Sequence, residues 1–143
     1  MKLSTKGRYG TRAMLDLARH YGEGAILARD IAARQHISER YLEHLLIALK
    51  AGGLVRSLRG AHGGFTLAMP PSEIRVSDIV RALEGSVAPV DCVDDSALCP
   101  RSETCVTRDV WVDMKRAINS ILDSTTLQDL LQRQAQKDMA VQT

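Results

Sequence analysis

The chain has 143 residues, enough for about one compact domain with an appended element and too few for a large multidomain enzyme. Hydrophobic residues at 45% and charged residues at 25% are those of an ordinary soluble protein, and no segment nears the roughly 18 apolar residues of a membrane span. The net charge of +2 divides unevenly, with twelve Lys/Arg against six Asp/Glu up to Arg75 and seven against eleven beyond it, so the N-terminal part suits a polyanion.

A first helix is expected from about Ser4 to Tyr21, where Met14, Leu15, Leu17 and Ala18 make an apolar stripe and Gly-Glu-Gly at 22–24 stops it. Leu27, Ala28, Ile31 and Ala32 then mark a short second helix, with a turn at residues 35–38. Ser38 reads as the N-cap of a third helix, Ile37 and Leu42 as its hydrophobic staple, and Gly52-Gly53 as its stop. Two helices joined by a tight turn are a weak helix-turn-helix signal alone. The stretch "LVRSLRGAHGGFTLAMPP" strengthens it: Leu54 and Val55 precede a glycine-rich turn, Phe65 and Leu67 alternate after it, and Pro70-Pro71 closes a β-hairpin wing. A fourth helix, with Ser77 as candidate cap and Ile79, Val80 and Leu83 facing inward, ends near Gly85. The expected fold is mainly α with a small β-hairpin wing, a winged helix-turn-helix over residues 1–85.

The competing reading is a helical protein with one hairpin and a solvated basic face. The coincidence of helix-turn-helix, wing and positive charge within about 60 residues favours double-stranded DNA. On that reading Ser38, Arg40, Tyr41 and His44 lie at the end of the third helix that enters the major groove, and Arg59 reaches the minor groove. Lys6, Arg8 and Arg56 contact phosphate, and His62 adds a donor on the wing. Glu43 is repelled by phosphate but accepts from a cytosine amino group, so it discriminates between sites; the alternative is a plain solvent-facing glutamate.

Cys92, Cys99 and Cys105, separated by six and five residues, are the only cysteines, and they share a polar segment at 86–105. A cytoplasmic location is expected, which argues against a structural disulfide, as does the odd count. Three thiolates converging from one loop suit a soft metal or an iron-sulfur cluster, whereas incidental cysteines would be scattered among buried positions.

Beyond the cysteines, Val106, Val110, Met114, Ala117 or Ile118, Ile121 and Leu122 form the longest apolar stripe in the chain. A small winged domain offers little surface to cover it, so a homodimer is expected, built on a dimerisation helix and a short terminal helix over 106–137. Such a dimer would read a pseudo-palindromic operator with half-sites about one helical turn apart. From Asp138 to Thr143 no periodicity remains, and a structureless tail is expected.

The order "STKGRYGTRAMLDLA", "YLEHLL", "GLVRSLRGAHGGFTLA", then three cysteines before a long helix, resembles the Rrf-type family of winged-helix regulators, the IscR-, NsrR- and RirA-like proteins, over residues 1–135. The resemblance implies a dimeric transcription factor, not an enzyme, with Cys92, Cys99 and Cys105 as iron-sulfur ligands and cluster state controlling promoter binding. It also exposes a departure. IscR-like members carry a histidine three residues after the last cysteine, where this chain has Arg108. That favours a 4Fe-4S cluster over the 2Fe-2S form, its fourth iron held by water, by a small thiol, by a carboxylate such as Asp91, Asp95, Glu103 or Asp109, or equally by a residue from a partner's first helix. The alternative is a cluster-free winged-helix regulator whose thiols sense zinc, heavy metals or oxidation. No nucleophile-base pair, phosphate-cradling loop or paired carboxylates suggest catalysis.

Overall fold

The computed structural model describes residues 2–142. Helix α1 (Thr5–Arg19) buries Ala13, Met14, Leu17 and Ala18, one face of the predicted stripe, and ends where His20 and Tyr21 bond back to Leu17 and Ala18. Helix α2 (Ala28–Gln35) inserts Ile31 and Ala32 into the same core. It stops at His36, which takes the left-handed conformation at φ 55°, and a three-residue turn leads directly to α3 (Glu39–Ala51). Ser38 caps α3 as expected: its Oγ accepts from the Tyr41 amide at 3.1 Å. Leu42, Leu45, Leu46 and Leu49 form the inner face of α3.

Strands β1 (Val55–Leu58) and β2 (Gly64–Leu67) pair antiparallel, with Val55 opposite Leu67 and Leu58 opposite Gly64. The connection between α1 and α2 extends this sheet by one bridge, in which Ile26 and Phe65 exchange two backbone bonds of 2.8 Å. That close approach dictates Gly64, which sits at φ 140° and whose Cβ, if present, would lie 2.4 Å from the Ile26 carbonyl oxygen.

A 3-10 turn (Pro71–Glu73) leads into α4 (Val76–Glu84). Ser77 is not its cap. Arg75, two residues earlier, stands at the N-cap position, Asp78 Oδ2 accepts from the Arg75 amide at 2.9 Å, and Ser77 is buried inside the first turn. The segment that follows contains a single helical turn, α5 (Asp91–Asp94), and a 3-10 turn (Ser96–Leu98) before α6 (Val106–Ser124).

α6 ends at a reciprocal cap: the Thr126 amide donates to Asp129 Oδ2 at 2.9 Å, and the Asp129 amide donates to Thr126 Oγ1 at 3.1 Å. Hydrogen bonds from the Thr126 amide and then its hydroxyl hold the Asp129 carboxyl below its ordinary range. They start α7 (Leu127–Gln142). The terminal helix is therefore not short, and it runs through the stretch from Asp138 where a structureless tail is expected. Asp138 is tied to Gln134 at 2.9 Å and to Arg19 at 3.5 Å, polar pairings that apolar periodicity does not register. Thr143 lies outside the described residues.

α7 folds back on α1. Its first residue, Leu127, is fully enclosed with Met14, Leu17, Ile31, Leu42, Leu46, Leu49, Ile74 and Ile79. Two backbone bonds, Val76 N–H to Thr125 O at 2.8 Å and Leu127 N–H to Ile74 O at 2.9 Å, stitch the α6–α7 junction to the start of α4. Among the described residues no helix is long and apolar enough to cross a membrane.

Candidate nucleic-acid interface and cysteine segment

A buried carboxylate on α1 ties that helix to the end of α2, the first helix of the helix-turn-helix. Asp16 on α1 is 2% exposed, and Arg34 at the end of α2 meets it twice, through Nε at 3.0 Å and Nη2 at 2.7 Å, while Gln35 Nε2 adds a third donor at 2.9 Å. Burial by itself would raise the Asp16 pKa, but these hydrogen bonds and the guanidinium charge outweigh it and hold the carboxyl below its ordinary value.

Against this frame, Arg40, Glu43 and His44 project from the first turns of α3 into solvent, beside the exposed cap Ser38. Tyr41 is half-buried and engaged: its hydroxyl bonds Thr5 Oγ1 at 3.1 Å, and its ring meets Tyr9 edge-on at 6.2 Å. Arg8 and Arg12 lie 5.9 and 5.3 Å from the centre of the Tyr9 ring, and Arg12 also donates to the Gln35 carbonyl at 2.6 Å. The basic start of α1, carrying Lys6 and Arg8, is thereby set beside the start of α3. Arg56 is exposed on β1, and Arg59 and His62 are exposed in the loop joining the wing strands. Lys50, at the far end of α3, donates to Ser57 on β1 at 2.7 Å and ties the wing to the helix. Lys6, Arg8, Arg40, Arg56 and Arg59 form no ion pair among the described residues, so their charge is available to a polyanion.

Thr5, Tyr9, Arg12 and Lys50 are absent from the sequence expectation. Tyr9 and Arg12 share a helical face with Thr5, which helical spacing could have shown, but the pairing of Tyr9 with Tyr41 across 32 positions leaves no one-dimensional trace.

The three thiols are free and half-buried. Cys92 lies in α5, Cys99 follows the 3-10 turn, and Cys105 is the N-cap of α6. A hydrogen bond from Thr107, then the Arg108 amide, hold the Cys105 thiol below its ordinary pKa. Arg108 is engaged by the main chain of α5: its Nε donates to the Cys92 carbonyl at 3.0 Å. Asp94 pairs with Lys115 at 2.6 Å, so α5 is clamped to α6 at two points. No group of three or more His, Cys, Asp or Glu side chains arranged to hold a metal ion occurs among the described residues. The three thiols are right in kind for an iron-sulfur cluster and share one segment, 86–105, which as folded does not gather them around a single ion.

Residues 3–133 match the family model described as Rrf2, iron-dependent transcriptional regulator. The chain belongs to the Rrf2 family of transcription regulators. It is similar to the Rrf2 protein of Nitratidesulfovibrio vulgaris, at 45% identity over 92% of this chain and 87% of that one. Among Rrf2-type structures it resembles CymR, the global cysteine regulator of B. subtilis, with a TM-score of 0.76 and 42% identity over 91% of this chain and 95% of that one. It resembles T. potens IscR equally, with a TM-score of 0.77 and 47% identity over 93% and 88%. The winged-helix architecture is thus that of the Rrf2 regulators, which are DNA-binding proteins and not enzymes.

Proposed function

We propose that this Rrf2-family regulator binds a pseudo-palindromic operator as a homodimer, with α3 in the major groove, the wing in the minor groove, and the cysteine segment receiving the signal. The observation that carries it is the Ser38-capped start of α3, flanked by unpaired basic side chains on α1 and on the wing. In this role Arg40, Glu43 and His44 face base edges, Lys6, Arg8 and Arg56 face phosphates, and Arg59 and His62 sit at the wing tip. Tyr41 acts chiefly by fixing α3 to α1.

The dimer is supported by α6, none of whose residues is buried. One face of the helix, with Arg108, Lys115, Ile118 and Leu122, turns to its own domain. The other carries Val106, Val110, Met114 and Ile121, between 37% and 75% exposed, an apolar stripe that needs a partner.

For the signal, the first reading is an iron-sulfur cluster ligated by Cys92, Cys99 and Cys105, supported by the donor set and by the likeness to IscR. Ligation would require the 86–105 segment to refold. The second reading, thiol or soft-metal sensing without a cluster, is supported by three free thiols, by the lowered Cys105 pKa and by the equal likeness to CymR. Anaerobic purification with visible and Mössbauer spectroscopy decides between them. A band in the blue, lost in Cys99→Ser, supports the cluster; a colourless protein without iron or sulfide after reconstitution supports the second. Sedimentation as a monomer at micromolar concentration would remove the dimer.

A further inference from the structure

Helix α1 has no side-chain cap of its own: Ser4 stands at the N-cap position, yet its hydroxyl does not satisfy the first-turn amides. The acceptor comes from 80 residues away. Glu84, the last residue of α4, places one carboxylate oxygen 3.0 Å from both the Ser4 and Gly7 amides and also accepts the Ser4 hydroxyl. A glutamate at the C-terminal end of a helix opposes that helix's own dipole and suits the N-terminus of another. Gly7 is part of the arrangement, since a Cβ there would meet the same carboxylate oxygen at 2.7 Å.

We infer that Glu84 is the positioning residue through which the cysteine segment sets the pose of the DNA-facing start of α1. At one end, Glu84 is the last residue before Gly85 and the 86–105 segment, where Ser86 bonds the Asp94 side chain and Asp94 pairs with Lys115. At the other, the turn it caps carries Lys6 and Arg8, and Thr5 in that turn holds the Tyr41 hydroxyl of α3. A rearrangement of the segment therefore acts on the residue that holds the first turn of α1. A loosened first turn frees the basic side chains and weakens the tie to α3. The inference deepens the proposed DNA-binding role and rests on it.

The sign of the effect separates this role from plain charge. Removing a carboxylate near Lys6 and Arg8 would tighten DNA binding if Glu84 acted only as a negative charge. Removing a cap weakens binding, because the phosphate contacts of α1 are lost with the turn.

The experiment measures anisotropy of the full-length protein on a labelled duplex carrying the site that the wild type protects, across a salt series. The variants are Glu84→Ala, Glu84→Gln and Gly7→Ala, with melting temperatures recorded alongside. The expected result is about tenfold weaker binding for Glu84→Ala, with a salt slope lower by about one phosphate. Glu84→Gln, which keeps an acceptor oxygen, restores most of the affinity, and Gly7→Ala, which displaces the carboxylate, reproduces the loss. Equal or tighter binding by both Glu84 variants with an unchanged slope would overturn the inference.

A second arm places Glu84→Ala on a background in which all three cysteines are Ser. The affinity difference between wild-type and all-serine proteins should collapse when Glu84 is Ala, and its persistence would overturn the relay. Failure of the wild type to bind DNA would instead refute the proposed function. Equal binding by wild-type and all-serine proteins would refute both the sensor role of the thiols and the relay, leaving Glu84 as a cap alone.

Discussion

Arg34→Ala tests the frame of the helix-turn-helix through the one carboxylate enclosed in it. Breaking a buried ion pair from one side typically costs about 3–5 kcal/mol, because the remaining charge is left without a partner. Asp16 has a side chain 3% exposed, but that of Arg34 is 41% exposed, so water reaches the vacated rim; Gln35 also remains. The expected loss at neutral pH is about 2–3 kcal/mol after that discount. The pH dependence adds a signature. In the wild type the folded Asp16 pKa is depressed below 3.8, so its contribution is complete above that value and disappears as pH falls through the folded pKa. Without Arg34, burial dominates and pushes the Asp16 pKa upward, so protonation relieves the variant. The stability gap to wild type should therefore shrink as pH is lowered from about 7 to about 4. Urea unfolding followed by far-ultraviolet circular dichroism, at fixed protein concentration, measures both quantities. A neutral-pH gap under about 0.5 kcal/mol, or a gap that widens with acid, would refute the reasoning.

Three further outcomes are expected. Leu127→Ala, which empties a fully enclosed position joining α7 to the core, should cost about 2–5 kcal/mol in the same unfolding assay. Ser38→Ala removes the acceptor for the Tyr41 amide and should lower stability by about 1 kcal/mol while weakening operator binding in a gel-shift titration. Gly64→Ala drives a methyl against the Ile26 carbonyl at a positive φ. It should detach the wing strand from the 26–27 connection, seen as faster amide exchange at Ile26 and Phe65.

The parts legible in the sequence were those whose signals are local. The apolar stripe of α1, the Ser38 cap and Gly52-Gly53 stop of α3, and the alternation of Phe65 and Leu67 all depend on neighbours a few positions away, and the structure follows them. What escaped depends on distant partners. The Ile26 bridge, the pairing of Tyr9 with Tyr41 and the reach of Glu84 to Ser4 bring together residues 32 to 80 positions apart, which periodicity does not register. The start of α4 departs from expectation for a local reason: Ser77 and Asp78 are both capping residue types, and it is the Asp78 carboxylate at N3 that accepts the Arg75 amide. The C-terminal helix outlasts its apolar pattern because Gln134, Asp138 and Arg19 hold it through polar contacts.

The stitching of Thr125 and Leu127 to Ile74 and Val76 also determines how α6 can move. Its C-terminal end is joined by main-chain bonds to the start of α4, while its first turn and its middle meet α5 through the side chains of Arg108 and Lys115. A strut fixed at one end pivots and does not slide. A displacement of α6 caused by rearrangement around Cys92 to Cys105 would swing about Thr125, largest at Val106 and smallest at Ser124. Two domains joined along such struts would change the angle between their recognition helices far more than the distance between their cores.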